Sequence, residues 1–408
     1  MRLLIYSLNY TPELTGIGKY TGELGEWFSR RGHDVRVITG IPYYPEWKVS
    51  KNYRWWTYKE ENILGCTVIR CPVWVPSRPS AVKRILHLVS FALSSMPMAI
   101  REAFWKPDII FVVEPPLFCS PIAWIVSVIS RASSWLHIQD FEVDAAFDLG
   151  LIKANWLKQL VLLIERGVIQ RFDRVSTISN AMIQRLKNKG VSESRRLLFP
   201  NWVDTHKIFH ITGGNSLRTE LGIDNNHIIA LYSGNMGEKQ GLEIIIDAAK
   251  ILINEPQLKF VMCGDGAAYN RLRILGQDVS NIQWLNLQPV ERLNELLNIA
   301  DIHLLPQRAD AADLVMPSKL TGMLASGRPV VATANPDTEV WQVVQKCGVT
   351  VSPGDAKSFA DAILLLANDS DKRAKLGCAA RQYAEQQFDH DVVLSCFEKE
   401  LVLLANQK

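Results

Sequence analysis

Strand-like apolar runs alternate with segments of helical periodicity along almost the whole chain, and this alternation constrains the fold more than any other feature. In the first half the strand-like runs are LLIYSL, DVRVITG, CTVIRCPVW, DIIFVVEP, WLHIQD and RVSTIS, and helical stretches separate most of them. Short β-rich runs separated by helices are typical of parallel sheets built from βαβ units. The sequence therefore predicts an α/β protein with parallel sheets.

The pattern stops at residues 201–214 and then starts again. The segment NWVDTHKIFHITGG follows neither periodicity, and after it come the runs IIALYSG, KFVMCGDG, IQWLNL, IHLLP and PVVATA. A chain of 408 residues is long for one compact core and suits two domains of about 200 residues each. We therefore predict a domain boundary between residues 200 and 215.

Composition and charge narrow the class of protein. Lys and Arg number 45 against 42 for Asp and Glu, which does not indicate a nucleic-acid partner. The seven cysteines show no metal-binding spacing, as expected for buried thiols in a reducing cytoplasm. The opening MRLLIYSLNY reaches a polar residue too early for a signal peptide, and the longest apolar stretch, residues 85–100, is shorter than the ~20 residues of a spanning helix. We therefore expect a cytoplasmic protein.

A glycine turn, TGIGKYTGE at residues 15–23, follows the first strand-like run. Its G-x-G-x-x-x-G spacing is one residue longer than the dinucleotide fingerprint, and no acidic residue ends the run VRVITG to hold a ribose. No Walker A motif is present either. The residues leave two interpretations open, an anion site at a helix N-terminus and a plain tight turn.

The second half contains three further turns of this kind. LYSGNMGEKQGLE carries Lys239, a cation suited to a diphosphate, and VMCGDG ends a strand in glycines. MPSKLTGMLASG places Pro317 at a plausible first helical position, with Ser318 and Lys319 in the first turn. Three such turns at the carboxyl ends of one parallel sheet predict a nucleotide site, although each could also be an ordinary strand-to-helix connection.

The order of these motifs carries a family resemblance. LLFPNWVDTHKIF is followed by YSGNMGEKQGLEIIIDAA, FVMCGDG, NELLNIADIHLLPQ and SGRPVVAT. This order and spacing resemble those of GT-B glycosyltransferases of family GT4, with Trp202 where their PNGVD segment has glycine. YTPELTGIGKYTGE, GIPYYPEWKV, LHIQDFEVDA and MPSKL resemble, more narrowly, the glycosyltransferases of colanic-acid biosynthesis, to which fucose transfer from GDP-fucose is ascribed.

The resemblance implies two Rossmann-like domains facing across a cleft, an acceptor domain at residues 1–203 and a nucleotide-sugar domain at residues 204–385. A C-terminal helix within residues 386–408 would return to the first domain. The implied reaction is a retaining hexose transfer that needs neither a cofactor nor a metal. No Asp-x-Asp pair suited to hold Mg²⁺ against a diphosphate is found in the sequence.

The resemblance also assigns site residues, unevenly. Asn235 stands where the family usually has arginine, so Arg308 is the candidate replacement for that charge, and Gly322 stands where a glutamate would contact ribose. At the end of WLHIQD the register is ambiguous, so His137 and Asp140 are both candidates, and His137 also fits a core position. The catalytic candidates are Asp140, His137 and Lys239. The candidates for binding the donor are Gly16, Gly18, Gly234, Asn235, Lys239, Arg308, Ser318 and Lys319.

An aromatic stretch, IPYYPEWKV, predicts the acceptor side. Aromatic rings suit sugar faces and membrane interfaces, and the predicted acceptor contacts are Tyr43, Tyr44 and Trp47. With Arg78, Lys83, Arg84 and the apolar residues 85–100, this stretch suggests peripheral docking at the inner membrane to reach a polyprenyl-diphosphate-linked saccharide. Three alternatives stay open: another donor such as GDP-mannose or a UDP-sugar, a nucleotide-sugar epimerase, and a non-catalytic binding partner.

Overall fold

The computed structural model describes residues 1–14, 16–143, 155–224, 226–309, 316–336 and 338–407. The chain divides into two compact units, Met1–Pro200 together with Leu394–Lys408, and Asn201–Val393. Each unit is built around its own sheet. The α/β architecture predicted from the alternation of strand-like and helical segments is therefore confirmed.

The sheet of the first unit has eight strands in the order β3-β4-β2-β1-β5-β6-β7-β8. They are β1 (Arg2–Tyr6), β2 (Asp34–Gly40), β3 (Lys59–Ile63), β4 (Cys66–Cys71), β5 (Ile109–Glu114), β6 (Ser133–Ile138), β7 (Arg174–Thr177) and β8 (Arg196–Leu198). Neighbouring strands are parallel except β3 and β4. The central strands β1 and β5 are almost wholly buried, as expected where helices cover both faces of a parallel sheet.

The described helices of the first unit connect these strands. They are α1 (Gly16–Arg30), α2 (Ala81–Ala103), α3 (Cys119–Ser130), α4 (Asn155–Ile169) and α5 (Asn180–Asn188). Ser80 and Ser179 cap α2 and α5, since each side chain accepts a backbone N–H of the first turn. Among the helices in the described part of the chain, none is both long enough and apolar enough to span a bilayer.

The second unit contains a six-stranded parallel sheet in the order β11-β10-β9-β12-β13-β14. Its strands are β9 (Ile228–Ser233), β10 (Leu258–Cys263), β11 (Ile282–Leu285), β12 (Ile302–Leu305), β13 (Val330–Thr333) and β14 (Gly348–Val351). Its helices are α6 (Ser216–Glu220), α7 (Glu243–Ile251), α8 (Tyr269–Leu275), α9 (Leu293–Ile299), α10 (Lys319–Ala325), α11 (Glu339–Cys347), α12 (Ala356–Asn368) and α13 (Ser370–Gln387). Buried aliphatic and aromatic residues of the sheet, α7 and α12 form one core.

The last helix, α14 (His390–Ala405), contributes to the core of the first unit from Leu394 onward. Phe397 stacks on Phe199 at 4.0 Å and meets Trp135 edge-on at 4.9 Å between ring centroids. Leu394, Leu401 and Leu404 are also buried. The apolar side chains of this helix therefore lie in a core that residues nearly 200 positions earlier help to form.

The observed unit boundaries differ from the predicted ones by a few residues. The prediction ended the first domain at residue 203, whereas the first unit ends at Pro200. Val203 explains the difference, because its N–H donates to the carbonyl of Phe388 at 2.8 Å and its carbonyl accepts from His390 at 2.9 Å. These bonds tie residues 201–203 to the second unit.

Three strands, β3, β8 and β14, are absent from the runs that the sequence singled out. They have three to five residues each, and none of their side chains is fully buried. Short strands at the edges of a sheet have neither a continuous apolar run nor a clear alternation. Their backbone pairing with β4, β7 and β13 defines them.

Candidate functional site

Two glycine turns of the second unit pack backbone against backbone at the carboxyl ends of β9 and β10. Gly234 follows β9 with a φ of 134°, and Gly264 follows β10 with a φ of 145°. A Cβ atom on Gly264 would lie 1.9 Å from the carbonyl oxygen of Gly234. The N–H of Met236 donates to the carbonyl of Asp265 at 2.8 Å and links the turns further. Glycine is required at position 264 because any side chain would force the turns apart.

Arg308 lies beside the first of these turns. The strand order reverses between β9 and β12, and doubly wound α/β proteins bind ligands beyond the carboxyl ends of the strands at such a point. Gly234 follows β9, and the exposed Arg308 follows β12. A Cβ atom on Gly241, at the end of the first turn, would lie 2.9 Å from Cγ of Arg308. The tertiary structure thus brings Arg308 beside the first glycine turn, which lies about 70 residues earlier in the sequence.

Lys319, the first residue of α10, also lies against the first glycine turn. Its Nζ donates to the hydroxyl of Tyr232 at 2.9 Å and lies 4.3 Å from the centroid of that ring. A Cβ atom on Gly234 would be 3.7 Å from the same Nζ. The Tyr232 hydroxyl in turn donates to the carbonyl of Asn235 at 2.6 Å. These contacts aim the ammonium group at the turn.

Burial sets the protonation state of Lys319. The residue is partly exposed, but the surroundings of its ammonium group are desolvated, and this burial lowers the pKa from 10.5 to about 8. Within the described residues, no carboxylate forms an ion pair with it. A cation beside a glycine turn suits a phosphate group.

Three more residues of the second unit are predicted to bind the nucleotide-sugar donor. Asn235 is exposed in the first glycine turn, and its Oδ1 would be 2.6 Å from a Cβ atom on Gly266. Ser318 precedes α10, is exposed, and does not cap the helix with its side chain. Lys239 belongs to the short turn Glu238–Gln240, but its side chain lies outside the described part of the structure.

The glycine turn of the first unit has a different character from the pair in the second unit. Gly16 begins α1 with a φ of 58°, and a Cβ atom there would be 3.9 Å from the ring of Tyr44. A Cβ atom on Gly18 would lie 2.7 Å from Cβ of Glu13, and one on Gly22 would lie 2.9 Å from Cβ of Thr11. Close packing of α1 against residues 11–13 is by itself a reason for glycine at position 18, and the place of Gly16 and Gly18 among the donor-binding residues stays a prediction.

The three aromatic residues predicted to bind the acceptor differ in exposure. Tyr43 is 5% exposed and packs on His87 at 4.6 Å and Trp47 at 5.5 Å between ring centroids. Trp47 is half-buried, with the guanidinium of Arg84 5.6 Å from its ring centroid. Tyr44 is 40% exposed. Tyr43 is thus packed in the core, whereas Tyr44 presents a ring to solvent, and the contact of these aromatic residues with the acceptor stays a prediction.

The two catalytic candidates at the end of β6, His137 and Asp140, differ in exposure to solvent. His137 is 3% exposed and stacks on Phe111 at 5.7 Å. Its Nδ1 lies 2.9 Å from Oγ of Ser176, and its Nε2 accepts from the side-chain amide of Gln139 at 2.9 Å. Burial lowers the pKa of His137 to about 3, so the ring is neutral. His137 therefore occupies the core position that the sequence left open for it, and its catalytic role stays a prediction. Asp140 is exposed in the loop after β6.

The comparisons with known proteins agree with this geometry. Residues 15–202 match a family model described as "Glycosyl transferase 4-like domain", and residues 215–383 match one described as "Glycosyl transferases group 1". The chain is 43% identical, over 97% of its length and 98% of the relative, to WcaI of Escherichia coli (strain K12), which carries the provisional description of colanic acid biosynthesis glycosyl transferase. The chain belongs to the GT4 glycosyltransferases.

Solved structures support the GT-B fold of this glycosyltransferase. Sucrose-phosphate synthase from Thermosynechococcus elongatus matches with a TM-score of 0.77 at 16% identity, with 100% of both chains covered. HepE from Anabaena, in complex with UDP, matches with a TM-score of 0.71 at 16% identity, with 99% of this chain and 100% of that chain covered. The predictions of family and fold are therefore confirmed.

The sequence did not single out two residues that organise the candidate sites of this glycosyltransferase. Tyr232 lies in the apolar run of β9 and is fully buried, so its sequence pattern is that of a core residue. Glu13 lies in a loop and is 5% exposed, although glutamate in a loop normally indicates a solvated residue. Only an unusual feature, a carboxylate between Pro12 and the glycine turn, could have drawn attention to Glu13.

Two glutamates with raised pKa values, the partly exposed Glu142 and the buried Glu114, lie at the carboxyl edge of the first sheet, and the sequence did not single them out. Burial raises the pKa of Glu142 to about 7, although the N–H of Leu117 donates to its carboxylate at 2.7 Å. Glu114, the last residue of β5, is fully buried, and this burial raises its pKa well above the usual value. A carboxyl group that titrates near neutral pH can donate or accept a hydrogen bond, which suits contacts with sugar hydroxyls.

Proposed function

We propose that this glycosyltransferase transfers a hexose, with L-fucose from GDP-fucose as the first candidate, to a polyprenyl-diphosphate-linked saccharide in the biosynthesis of a colanic-acid-like exopolysaccharide. The 43% identity with WcaI, a protein named for colanic acid biosynthesis, supports the pathway. HepE, which shares the fold, has been solved in complex with UDP-glucose, and this supports a nucleotide-sugar donor. The observation that carries the proposal is the pair of cations, Lys319 and Arg308, beside the glycine turn of the second unit.

The chemistry follows from where negative charge develops. When the bond between the sugar and the nucleoside diphosphate breaks, the departing diphosphate gains negative charge. The cationic groups of Lys319 and Arg308 beside the glycine turn would stabilise that charge. We propose retention of the anomeric configuration without a metal, with a donor phosphate oxygen accepting the proton of the acceptor hydroxyl. Asp140 and Lys239 remain proposed catalytic contacts.

A transfer assay tests this proposal. The purified protein is incubated with polyprenyl-diphosphate-glucose and, separately, with GDP-fucose, GDP-mannose, UDP-glucose and UDP-N-acetylglucosamine, with and without a metal chelator. We expect mass spectrometry of the lipid to show one added deoxyhexose from GDP-fucose alone, at a rate that the chelator does not change. Transfer from a different donor would contradict the fucose assignment. Loss of the donor without any glycosylated lipid would favour an epimerase or hydrolase.

We further propose that the first unit docks on the surface of an anionic membrane through the N-terminal half of α2. Val82, Ile85 and Leu86 are 64%, 41% and 52% exposed, and Leu93 is 63% exposed on the same helix. The basic residues Arg78, Lys83 and Arg84 at the start of the helix are exposed as well. Apolar side chains next to Lys and Arg suit the headgroup region of a bilayer that contains anionic lipid.

Substituting Leu86 and Leu93 by glutamate should weaken membrane binding at least tenfold. Each leucine loses about 1 to 2 kcal/mol of favourable burial in the bilayer, and each glutamate adds repulsion from anionic headgroups. The measurement is co-flotation with vesicles of phosphatidylethanolamine and phosphatidylglycerol. Leu403→Glu, at an exposed leucine of α14, is the matched control. Equal flotation of the double variant and the control would exclude α2 as the docking surface.

A further inference from the structure

The carboxylate of Glu13 connects two loops of the first unit. Its Oε1 accepts the backbone N–H groups of Tyr43 and Tyr44, both at 2.9 Å. Its Oε2 accepts from the side-chain amide of Asn9 at 2.8 Å. Glu13 and Asn9 belong to the loop after β1, and the two tyrosines belong to the loop after β2. One buried side chain therefore joins the glycine turn to the aromatic loop.

The sequence around the two tyrosines makes the hydrogen bonds to Glu13 important for the position of this loop. Tyr43 and Tyr44 lie between Pro42 and Pro45, and proline has no backbone N–H. The N–H groups of the two tyrosines are therefore the sole backbone donors of the segment 42–45. Both are bound by one oxygen of Glu13. Without that carboxylate, two backbone donors would have to find new partners, and the position of the loop would change with them.

The loop that carries Glu13 is also held by contacts with α1 and with Arg70. A Cβ atom on Gly18 would lie 2.7 Å from Cβ of Glu13, so the first turn of α1 rests on it. The fully buried guanidinium of Arg70 donates to the carbonyl of Thr11, two residues before Glu13, and its Nε donates to Glu61 at 2.9 Å. Glu13 is thus held at a defined point between α1 and the aromatic loop.

This arrangement holds the ring of Tyr44 beside Gly16. Its edge lies 3.9 Å from where a Cβ atom on Gly16 would be, and the residue is 40% exposed. Tyr43 beside it is buried against His87 and so anchors the segment. An exposed aromatic ring beside the bare backbone of a glycine offers a flat, open surface for one face of a sugar.

We propose that Glu13 is a positioning residue for the acceptor, because its carboxylate holds Tyr44 beside Gly16 and so shapes a subsite for the acceptor sugar. The inference rests on the proposed transfer to a saccharide acceptor. Glu13 acts through Tyr43 and Tyr44, so its length should matter more than its charge. A glutamine has the same length and an amide oxygen that can accept both N–H groups, whereas an aspartate keeps the charge but is shorter.

Two substitutions separate positioning from electrostatics. Glu13→Asp should raise the KM for the acceptor at least tenfold, with kcat within threefold of wild type and the affinity for the nucleotide sugar within twofold. Glu13→Gln should keep all three quantities within threefold, after Asn9 turns its amide to present the oxygen. Glu46→Asp and Glu46→Gln, at an exposed glutamate of the same loop, are the matched controls. The reverse order, with Gln impaired and Asp normal, would overturn the inference.

Hydrogen–deuterium exchange gives a readout that does not depend on activity. Because of the flanking prolines, the exchange of segment 42–45 reports on Tyr43 and Tyr44 alone. We expect exchange at least tenfold faster in Glu13→Asp than in wild type, and nearly unchanged exchange in Glu13→Gln. Unchanged exchange in Glu13→Asp would overturn the positioning role even if no donor supports transfer. Faster exchange with no transfer by the wild type would instead contradict the proposed function and leave the positioning of the loop supported.

Discussion

Replacing Lys319 with methionine should lower kcat/KM for the nucleotide sugar by about two to three orders of magnitude, similar to the loss of one preorganised donor to a developing anion. Methionine has about the length of lysine but cannot donate to a phosphate. The Nζ of Lys319 is held by Tyr232 beside Gly234, so no other described cation occupies that position. Steady-state kinetics with the donor that the transfer assay identifies would measure the change.

The pH dependence should identify the ammonium group as the cause. Burial lowers the pKa of Lys319 to about 8, and the charged form binds the anionic diphosphate, so kcat/KM of the wild type should fall as pH rises through 8. Burial raises the pKa of Tyr232, so its hydroxyl stays protonated in this range. The kcat/KM of the Lys319→Met variant should not fall in this pH range. A decline of the same size in the variant would assign the titration to another group.

The stability of the Lys319 variant should move in the opposite direction to its activity. The folded-state pKa of Lys319 lies below its usual value, so the unfolded chain binds the proton more tightly and the ammonium opposes folding below pH 8. We therefore expect Lys319→Met to unfold at the same temperature as wild type or higher. Lys346→Met is a matched control, because that exposed lysine also lies over a tyrosine ring, Tyr383, at 5.2 Å. A lower melting temperature for Lys319→Met alone would mean that Lys319 stabilises the fold.

Replacing Gly264 with alanine should destabilise the second unit by about 3 kcal/mol or more and abolish donor binding. The new Cβ atom would lie 1.9 Å from the carbonyl oxygen of Gly234, and the φ of 145° is itself unfavourable for alanine. The two turns would have to separate, which removes the surface that faces Lys319. Thermal unfolding and calorimetric titration with the nucleotide sugar would measure both effects.

Gly222→Ala separates backbone strain from collision. Gly222 has a φ of 65°, but a Cβ atom there meets no heavy atom within 4 Å. The strain alone should cost about 1 kcal/mol and leave donor binding unchanged. If Gly264→Ala behaved like Gly222→Ala, the close packing of the two turns would not be needed for donor binding.

The glycine motifs show how far motif spacing can be trusted. The spacing of Gly16, Gly18 and Gly22 resembles a phosphate-binding loop, yet Gly18 and Gly22 are accounted for by the packing of α1 on Glu13 and Thr11. Gly234 and Gly264, which have no special spacing, pack backbone on backbone beside Lys319. Spacing along the chain shows where side chains are absent, but the neighbour that requires the absence comes from elsewhere in the fold.

The aromatic and histidine candidates show the same limit. His137 and Asp140 are three residues apart and were both candidates, but His137 is buried against Phe111 and Asp140 is exposed. Tyr43 and Tyr44 are adjacent, and their exposures are 5% and 40%. Burial depends on which helix covers a given face, and a local pattern at the end of a strand does not contain that information.

The sequence by itself determined the α/β class, the restart of the pattern near residue 200 and the family, because strand and helix periodicities and the order of motifs are local or linear properties. Only the tertiary structure decided which charges meet which turns. Arg308, after the neighbouring strand β12, and Lys319, at the start of α10, lie beside the first glycine turn. Glu13 accepts hydrogen bonds from Tyr43 and Tyr44 of the neighbouring loop. Such contacts join residues that are tens of positions apart, and the energetics of burial and hydrogen bonding select them once the strands have been ordered.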